Sequence, residues 1–240
     1  MAVYRDRHLH WAKDFLSRND PGYRFRWEVY FGELERLLKD VDSFLDAGCG
    51  DNQTVRELFF SGFKIGVDQR RPEDSDHFCC ARLEQLPFPP GSFEVIGCRF
   101  VLEHLPDPHT ALQEFSRVLR PGGFLLTQTT NRTHPLIFLS RLLPRRFKQR
   151  LARLIYGRTG GTEQRTYHRF NHPHDFGRPQ AGLIPMKSWF VEDLHLEFKP
   201  LFYVSYRYHA LTRRLRCTSR RSTITVLWEK PVETSPSKGL

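Results

Sequence analysis

The chain has 240 residues, of which 39% are hydrophobic and 13% aromatic, a composition that excludes a disordered or low-complexity protein. Its 37 Lys and Arg residues outnumber its 27 Asp and Glu residues, which gives a formal charge of +10. This excess favours anionic partners, whether nucleic acid, phospholipid or an acidic substrate.

No uninterrupted apolar run approaches the ~20 residues of a membrane helix, and the first ten residues lack the apolar core of a secretory signal. The five cysteines lack paired C-x-x-C spacing, which argues against a disulfide framework and against a zinc site. We therefore expect a soluble protein of the reducing cytoplasm, with no integral membrane segment and no bound metal.

Residues 11–40 are predicted to be helical, because aromatic and leucine side chains recur at helical spacing after a break at Asp20-Pro21-Gly22. Packing against the core is the simplest role for this aromatic stripe.

A buried strand is predicted to end in the turn Asp46-Ala47-Gly48-Cys49-Gly50, and residues 52–60 are predicted to continue as a helix. A turn this tight between a strand and a helix favours residues without a Cβ, because the backbone takes positive φ and a ligand approaches the main chain closely. Gly48 and Gly50 meet both needs, so this turn is the first candidate for a binding site.

A second short strand, residues 63–68, ends in Asp68, which follows Gly48 by twenty residues. A nucleoside-binding α/β unit places an acidic residue at about this distance, where it accepts hydrogen bonds from ribose hydroxyls. An isolated Asp at a strand end would more simply begin a turn, but its spacing from the glycine turn favours the ribose role.

Strand and helix patterns then alternate, which predicts a parallel sheet covered by helices on both faces. Pro72 and its charged neighbours leave little room for a helix after the second strand. The remaining predicted elements are strands at 77–81, 95–98 and 124–129 and a helix at 108–119.

The alternation fails between residues 131 and 186. The first part has an apolar helical face, broken near Pro144, and an arginine-rich opposite face, which can pack on the domain, lie on an anionic membrane or contact nucleic acid. Residues 157–180 are rich in Gly, Arg and His and are interpreted as a lid or substrate loop. Residues 189–208 are predicted to hold one or two strands, and residues 222–229 form the last strand.

Three segments resemble the motifs of class I S-adenosylmethionine (SAM) dependent methyltransferases of the type 11 family. They are the glycine turn, the run from Leu86-Pro87-Phe88 to Gly91-Ser92-Phe93, and Val101-Leu102-Glu103-His104-Leu105 after the fourth strand. The resemblance covers about residues 41–131. It implies a Rossmann-like, seven-stranded, mostly parallel sheet sandwiched by helices, with an Arg/His-rich insert after the fifth strand.

On this basis we expect residues 1–240 to form a single methyltransferase domain. Its expected parts are an N-terminal helical cap at 1–40, a SAM-binding core at 41–131, an insert or lid at 132–188 and C-terminal strands at 189–230.

The resemblance also implies which residues contact SAM, the expected cofactor. These are Asp46, Gly48, Cys49, Gly50, Asp68, Gln69, Leu83, Arg99 and Phe100. Arg82 stands where the family often has an acidic residue that contacts the adenine amino group. The backbone of Leu83 or the side chain of Glu84 would therefore have to substitute for it.

In-line methyl transfer depends mainly on orientation, and a general base is needed only if the acceptor loses a proton. His104, after the fourth strand, is the first candidate, although a histidine there can equally be a structural partner. His134, after the fifth strand, is the second. His168, His172 and His174 become candidates if their loop folds over the site.

Two other cofactor classes are excluded. Gln53 stands where the dinucleotide fingerprint requires its third glycine, and no Gly-Lys-Ser or Gly-Lys-Thr of a P-loop follows the turn. The predicted function is methyl transfer from SAM to an O, N or C atom of a small-molecule acceptor, and the basic region could receive an anionic one. The alternatives are an RNA-directed methyltransferase that uses the basic insert and a SAM-binding regulatory protein without turnover.

Overall fold

The computed structural model describes residues 7–73, 76–142, 166–167, 169–196 and 198–232. The strands are β1 Ser43–Ala47, β2 Phe63–Asp68, β3 Phe78–Cys80, β4 Phe93–Arg99, β5 Leu119–Thr130, β6 Ile184–Val191 and β7 Thr223–Glu229. The α-helices are α1 Arg7–Asn19, α2 Arg26–Leu37, α3 Gln53–Glu57, α4 Pro108–Val118, α5 Pro135–Leu142 and α6 Lys199–Arg214. Short 3-10 turns lie at Leu38–Asp40, Leu102–His104, Pro173–Phe176 and Thr218–Arg220.

The seven strands form one sheet in the order β3-β2-β1-β4-β5-β7-β6. Strands β1 to β5 pair in parallel, whereas β7 runs antiparallel to both of its neighbours, β5 and β6. The predicted seven-stranded, mostly parallel sheet is confirmed. The strand order reverses between β1 and β4, and open α/β sheets bind their ligands at the carboxyl ends of the strands at such a point.

Helices cover both faces of the sheet. Successive β1 side chains point to opposite faces, so each face offers apolar side chains for a helix to pack against. Phe44 packs with Tyr30 and Leu34 of α2, whereas Leu45 belongs to the cluster that includes Phe115 of α4. All five β1 residues are buried, as expected for a central strand covered on both faces. The glycine turn therefore leaves the sheet from a rigid centre.

Helix α4 begins where the sequence provides an N-cap. The Asp107 carboxylate accepts hydrogen bonds from the backbone N–H groups of His109 and Thr110, and Pro108 occupies the first helical position. Hydrogen bonding to Thr110 lowers the pKa of the Asp107 carboxyl. Among the described helices, none is both long and apolar enough to cross a membrane.

One prediction for the C-terminal part was wrong. Strand β6 begins at Ile184 and includes residues 189–191 of the segment predicted to hold one or two strands, but residues 199–208 of that segment lie in helix α6. Phe202, Ser205, His209 and Thr212 are the buried residues of α6 and recur every three or four positions. The Tyr, Phe and Val content suggested a strand, but burial along one helical face determined the structure.

The basic amphipathic segment is only partly described. Its first turns form α5, Pro135–Leu142, while the rest of the predicted helical pair, the break at Pro144 and His168 lie outside the described residues.

Candidate functional site

The glycine turn continues β1 and is held against β2. The backbone N–H groups of Gly48 and Cys49 both donate to the carbonyl oxygen of Val67, at 2.8 and 3.1 Å. Gly48 has a φ of +78°, and a Cβ built on it would overlap the side chain of Val101. This position therefore requires glycine for two independent reasons, backbone conformation and space.

Gly50 lines an open space. Its φ is +59°, and no atom lies within 4 Å of a Cβ built on it. The Asp68 Oδ2 atom accepts a hydrogen bond from the Gly50 N–H at 3.1 Å, while Oδ1 accepts one from the Arg70 N–H at 3.0 Å. Each carboxylate oxygen has more than one lone pair, so Asp68 can still accept hydrogen bonds from a ligand.

Asn52 supplies a third left-handed residue in this turn, with a φ of 60°. Its side chain is buried, and its Nδ2 donates to the Asp76 carbonyl oxygen at 2.8 Å. Gly66 on β2 faces it, since a Cβ at Gly66 would overlap the Asn52 Oδ1. Sequence reasoning missed this residue, although asparagine is one of the few side chains that tolerate this conformation.

Asp46, near the end of β1 and at the start of the glycine turn, is 5% exposed. Burial raises the pKa of its carboxyl to about 6, although the Arg99 charge and a hydrogen bond from Thr54 oppose the shift. The site therefore contains a carboxyl group that changes charge in mildly acidic solution.

Arg99 and Phe100, at the end of β4, meet the N-terminal helix α2. The Arg99 guanidinium lies 5.0 Å from the Phe31 ring centroid and 5.8 Å from that of Tyr30. The Arg26 guanidinium lies 5.0 Å from the Phe100 ring centroid. These cation–π contacts bring the aromatic stripe of α2 to the site, a role that its helical spacing alone could not distinguish from core packing.

Phe100 has a φ of +55°, which is unusual for a bulky residue. Its N–H donates to the Gln128 carbonyl oxygen on β5 at 2.6 Å. The chain therefore turns sharply at the carboxyl end of β4, and this turn presents the Phe100 ring at the same sheet edge as the glycine turn.

The remaining predicted cofactor residues contribute in different ways. The Cys49 side chain is buried next to Gly66, and burial raises the pKa of its thiol. Leu83 is a core residue, so only its backbone is available to a ligand. Gln69 is exposed beside Asp68.

Glu84, the residue after Leu83, is the alternative contact for the adenine. Its Oε1 atom lies 3.5 Å from Arg82 Nη2, and its Oε2 atom is buried without a hydrogen-bond partner among the described residues.

His104 is the last residue of the 3-10 turn after β4, and its side chain is half-buried. The Thr166 hydroxyl lies 3.3 Å from its Nδ1, and the Tyr167 N–H donates to the Glu103 carbonyl oxygen at 2.9 Å. Residues 166–167 of the insert therefore lie against this turn. The Glu103 carboxylate is buried and accepts hydrogen bonds from the Thr129 hydroxyl and the Thr130 N–H, while burial raises its pKa.

His134 has a different environment. It is 4% exposed, and its Nε2 lies 3.1 Å from Oε1 of Glu192, which is itself buried. The second oxygen of Glu192 accepts a hydrogen bond from the Ser222 N–H at 3.1 Å, and the Tyr208 ring stacks edge-on against His134. The structure thus places His134 in a buried polar pair, whereas His104 is half-buried in the turn that follows β4.

The loop histidines are tied to each other. His172 Nδ1 accepts a hydrogen bond from the His174 N–H at 3.1 Å, and the Asp175 carboxylate accepts one from the His172 N–H at 2.9 Å. This local turn caps the 3-10 segment and accounts for the His172 side chain structurally, whereas His174 contributes its backbone N–H.

Residues 45–127 match a family model described as "Methyltransferase domain". A curated relative, the ubiquinone biosynthesis O-methyltransferase of Chromobacterium violaceum, is 27% identical over 155 residues, which cover 58% of this chain and 63% of the relative. The chain spans less than two thirds of the length of the curated relatives that it matches.

Two solved structures share the fold. One is a putative methyltransferase from a complex with the Trm112 methyltransferase activator of Haloferax volcanii, with a TM-score of 0.56, 17% identity, and coverage of 96% of this chain and 99% of that chain. The other is the [4+2]-cyclase SpnF, with a TM-score of 0.56, 18% identity, and coverage of 85% and 81%. Since one of the two is named as a cyclase, the fold alone does not establish methyl transfer.

Proposed function

Residues 45–127 match the model of a methyltransferase domain, and from this match and the site geometry we propose that this protein transfers a methyl group from SAM to a small-molecule acceptor. One observation carries the proposal. The Gly50 N–H and the Asp68 carboxylate meet at the carboxyl ends of β1 and β2, beside the reversal of strand order, and the space next to Gly50 is open.

The residues of this edge fit SAM chemically. The open space beside Gly50 lets a ligand approach the backbone closely, and the free lone pairs of Asp68 suit the two ribose hydroxyls of an adenosyl group. Asp46 and Asp68 together add negative charge, which suits a cofactor that carries a sulfonium and an ammonium group. The buried, unpartnered oxygen of Glu84 suits the adenine amino group.

In this proposal Asp68 and Gln69 hold the ribose, and the turn from Gly48 to Gly50 holds the methionine half through its backbone. Cys49 contributes only its main chain, because its thiol packs against β2. Leu83 and Glu84 hold the adenine, and Arg99 and Phe100 close the opposite side. SAM supplies an electrophilic methyl group when bound.

The chain's own contribution to the reaction is orientation and exclusion of water. Helix α2, through Tyr30 and Phe31, and the insert, through Thr166, border the site from two sides. We assign the role of base to His104 for acceptors that lose a proton, because His104 is half-buried beside this edge. We assign a positioning role to His134, because Glu192 and Tyr208 enclose it.

A small-molecule acceptor is supported by the relative from Chromobacterium violaceum, whose name places it in ubiquinone biosynthesis. The charge of +10 supports an anionic acceptor.

We also propose that the chain forms one domain. In it, residues 1–40 act as the cap, residues 41–131 as the core, residues 132–188 as the insert and residues 189–230 as the C-terminal part. We propose the cytoplasm as its compartment, since all five cysteines are free thiols.

Isothermal titration with SAM and with S-adenosylhomocysteine tests the cofactor assignment. Saturable binding of both is expected, and the absence of binding would exclude the proposed function. Labelled SAM incubated with cell extracts, with and without ribonuclease, then tests the acceptor. Label in the small-molecule fraction that survives ribonuclease is the expected result, and ribonuclease-sensitive label would indicate an RNA acceptor instead. Binding without any label transfer would favour a regulatory protein.

A further inference from the structure

Helix α6 exposes a mixed apolar and basic surface. We define the α6 outer face as Tyr203, Val204, Arg207, Leu211, Arg214 and Leu215, all of which are exposed. At 3.6 residues per turn these positions fall within about 120° of arc. The exposed fractions of Val204, Leu211 and Leu215 are 57, 50 and 62%, so apolar side chains form a large part of this surface.

Apart from Tyr203, whose ring packs against Trp11 and Phe15 of α1, the outer face is not needed to hold α6 in place. The opposite side of the helix is buried, with Phe202 in a cluster with Ala12, Leu16 and Phe25. His209 on that side binds Asp20, with 2.9 Å between its Nε2 and the carboxylate. Because the helix is already anchored, the exposed leucines and valine require another explanation, and a contiguous apolar patch marks an interaction surface.

The charged residues of α6 and of the segment that follows it are all basic. Between Phe198 and Trp228 the sequence contains seven Lys and Arg residues and no Asp or Glu. Arg213 is paired with Asp20, and Arg221 donates to the Phe190 carbonyl oxygen. Arg207 and Arg214 make no ion pair with any described residue, so their charges are available to an anionic partner.

Helix α5 adds exposed apolar side chains at the same end of the molecule. Leu136, Phe138 and Leu139 are exposed by 43, 55 and 54%. Strands β5 and β6 are both antiparallel to β7, so they run in the same direction, and α5 and α6 follow them at the same edge of the sheet. This is also the edge that contains the candidate site.

We propose that the α6 outer face, together with the exposed side chains of α5, docks the protein on an anionic phospholipid bilayer. A helix with apolar and basic residues on one exposed face buries the former at the acyl boundary and places the latter among the headgroups. Nucleic acid would use Arg207 and Arg214 but would leave Val204, Leu211 and Leu215 in water. The bilayer accounts for both kinds of residue. This proposal does not depend on methyl transfer.

Co-sedimentation of the full chain with vesicles tests the proposal. Vesicles of phosphatidylcholine with added phosphatidylglycerol are compared with vesicles of phosphatidylcholine alone. Binding to the anionic vesicles is expected, with a partition coefficient that falls as salt is added. Equal binding to both kinds of vesicle, or binding to neither, would overturn the proposal.

Two double variants separate the contribution of the basic residues to vesicle binding from that of the apolar residues. Arg207→Glu with Arg214→Glu is expected to lower the partition coefficient about thirtyfold or more, since each basic residue near an anionic surface contributes roughly a fivefold factor. Leu211→Ser with Leu215→Ser is expected to lower it about tenfold or more, because apolar burial at the acyl boundary is lost. The matched control, Lys39→Glu with Arg178→Glu, changes the net charge equally but lies at exposed positions outside α5 and α6.

Thermal unfolding and S-adenosylhomocysteine binding of each variant verify that the fold is intact. If the control pair weakens vesicle binding as much as the α6 pair, the attraction is a property of net charge and the proposal fails. It also fails if a single-stranded RNA competes fully with the vesicles while the leucine pair has no effect, since that result assigns the face to nucleic acid.

Discussion

The side chain of Val101 occupies the space into which a Cβ on Gly48 would project. Val101 follows the fourth strand and Gly48 follows the first, so this contact joins the ends of the two strands at which the order of the sheet reverses. The contact explains why the two glycines of the turn are expected to respond differently to substitution.

Gly48→Ala should destabilise the fold by about 2–4 kcal/mol, because alanine at positive φ costs about 1–2 kcal/mol and the overlap with Val101 adds the cost of overpacking. Gly50→Ala should destabilise the fold only by the cost of alanine at positive φ, since nothing lies within 4 Å of its new Cβ. It should also weaken SAM binding, because the new Cβ fills the open space beside the turn. Urea unfolding and titration measure both effects. Adding Val101→Ala to Gly48→Ala should recover part of the stability, and no recovery would contradict the steric explanation.

Asp68→Ala should lower SAM affinity by about ten- to a hundredfold, since hydrogen bonds to a charged group contribute about 1.5–3 kcal/mol. Asp68→Asn should retain part of the affinity, because the amide oxygen still accepts a hydrogen bond. Asp40→Ala, at an exposed position before β1, is the matched control and should bind like the parent protein. Unchanged affinity in Asp68→Ala would remove the ribose assignment.

The raised pKa of Asp46 predicts a specific pH dependence. Its pKa is about 6 in the folded protein against an ordinary value of 3.8, so the folded state binds more protons between these values. Its contribution to stability is therefore present at low pH and is lost as the pH rises from about 4 to about 6, by about 3 kcal/mol. The difference in unfolding free energy between the parent and Asp46→Asn should fall over that window. A difference that does not change with pH would contradict the burial of an ionisable carboxyl.

The two candidate histidines should differ in kind. His134→Ala leaves the buried Glu192 carboxylate without its histidine partner and should destabilise the fold by about 3–5 kcal/mol. His104→Ala should retain the fold and SAM affinity but lower kcat on a proton-losing acceptor by about a hundredfold or more. Thermal unfolding and a pH profile of kcat distinguish these roles. The assignment would be reversed if His104→Ala lost stability while His134→Ala lost only kcat.

The central half of the fold was predictable because its signals are local. The buried strands, the glycine turn and Asp68 each follow from a few neighbouring residues, and the parallel sheet follows from their alternation. The aromatic contacts of Arg99 were not predictable, because Phe31 and Tyr30 are almost seventy residues away in sequence and their spacing only indicated a helix. The same holds for the pair of His134 and Glu192.

The wrong prediction of strand at residues 199–208 has a similar cause. The aromatic and β-branched residues of α6 satisfy strand propensity, and the partners that select a helix, Ala12 and Phe25 among them, lie in the first 25 residues. The left-handed conformation of Asn52 could have been predicted from the sequence, because an asparagine after two glycines is compatible with a third left-handed residue.

The place of β7 also affects the order in which the protein is assembled. Strand β6 pairs with β7 in the sheet, and β7 inserts between β6 and β5 although it is made after both. During synthesis, β5 therefore exposes an unpaired edge, and β6 lacks a neighbour, until residues 223–229 have left the ribosome. Premature termination before this strand would leave two strands with open hydrogen-bonding edges, a state prone to aggregation.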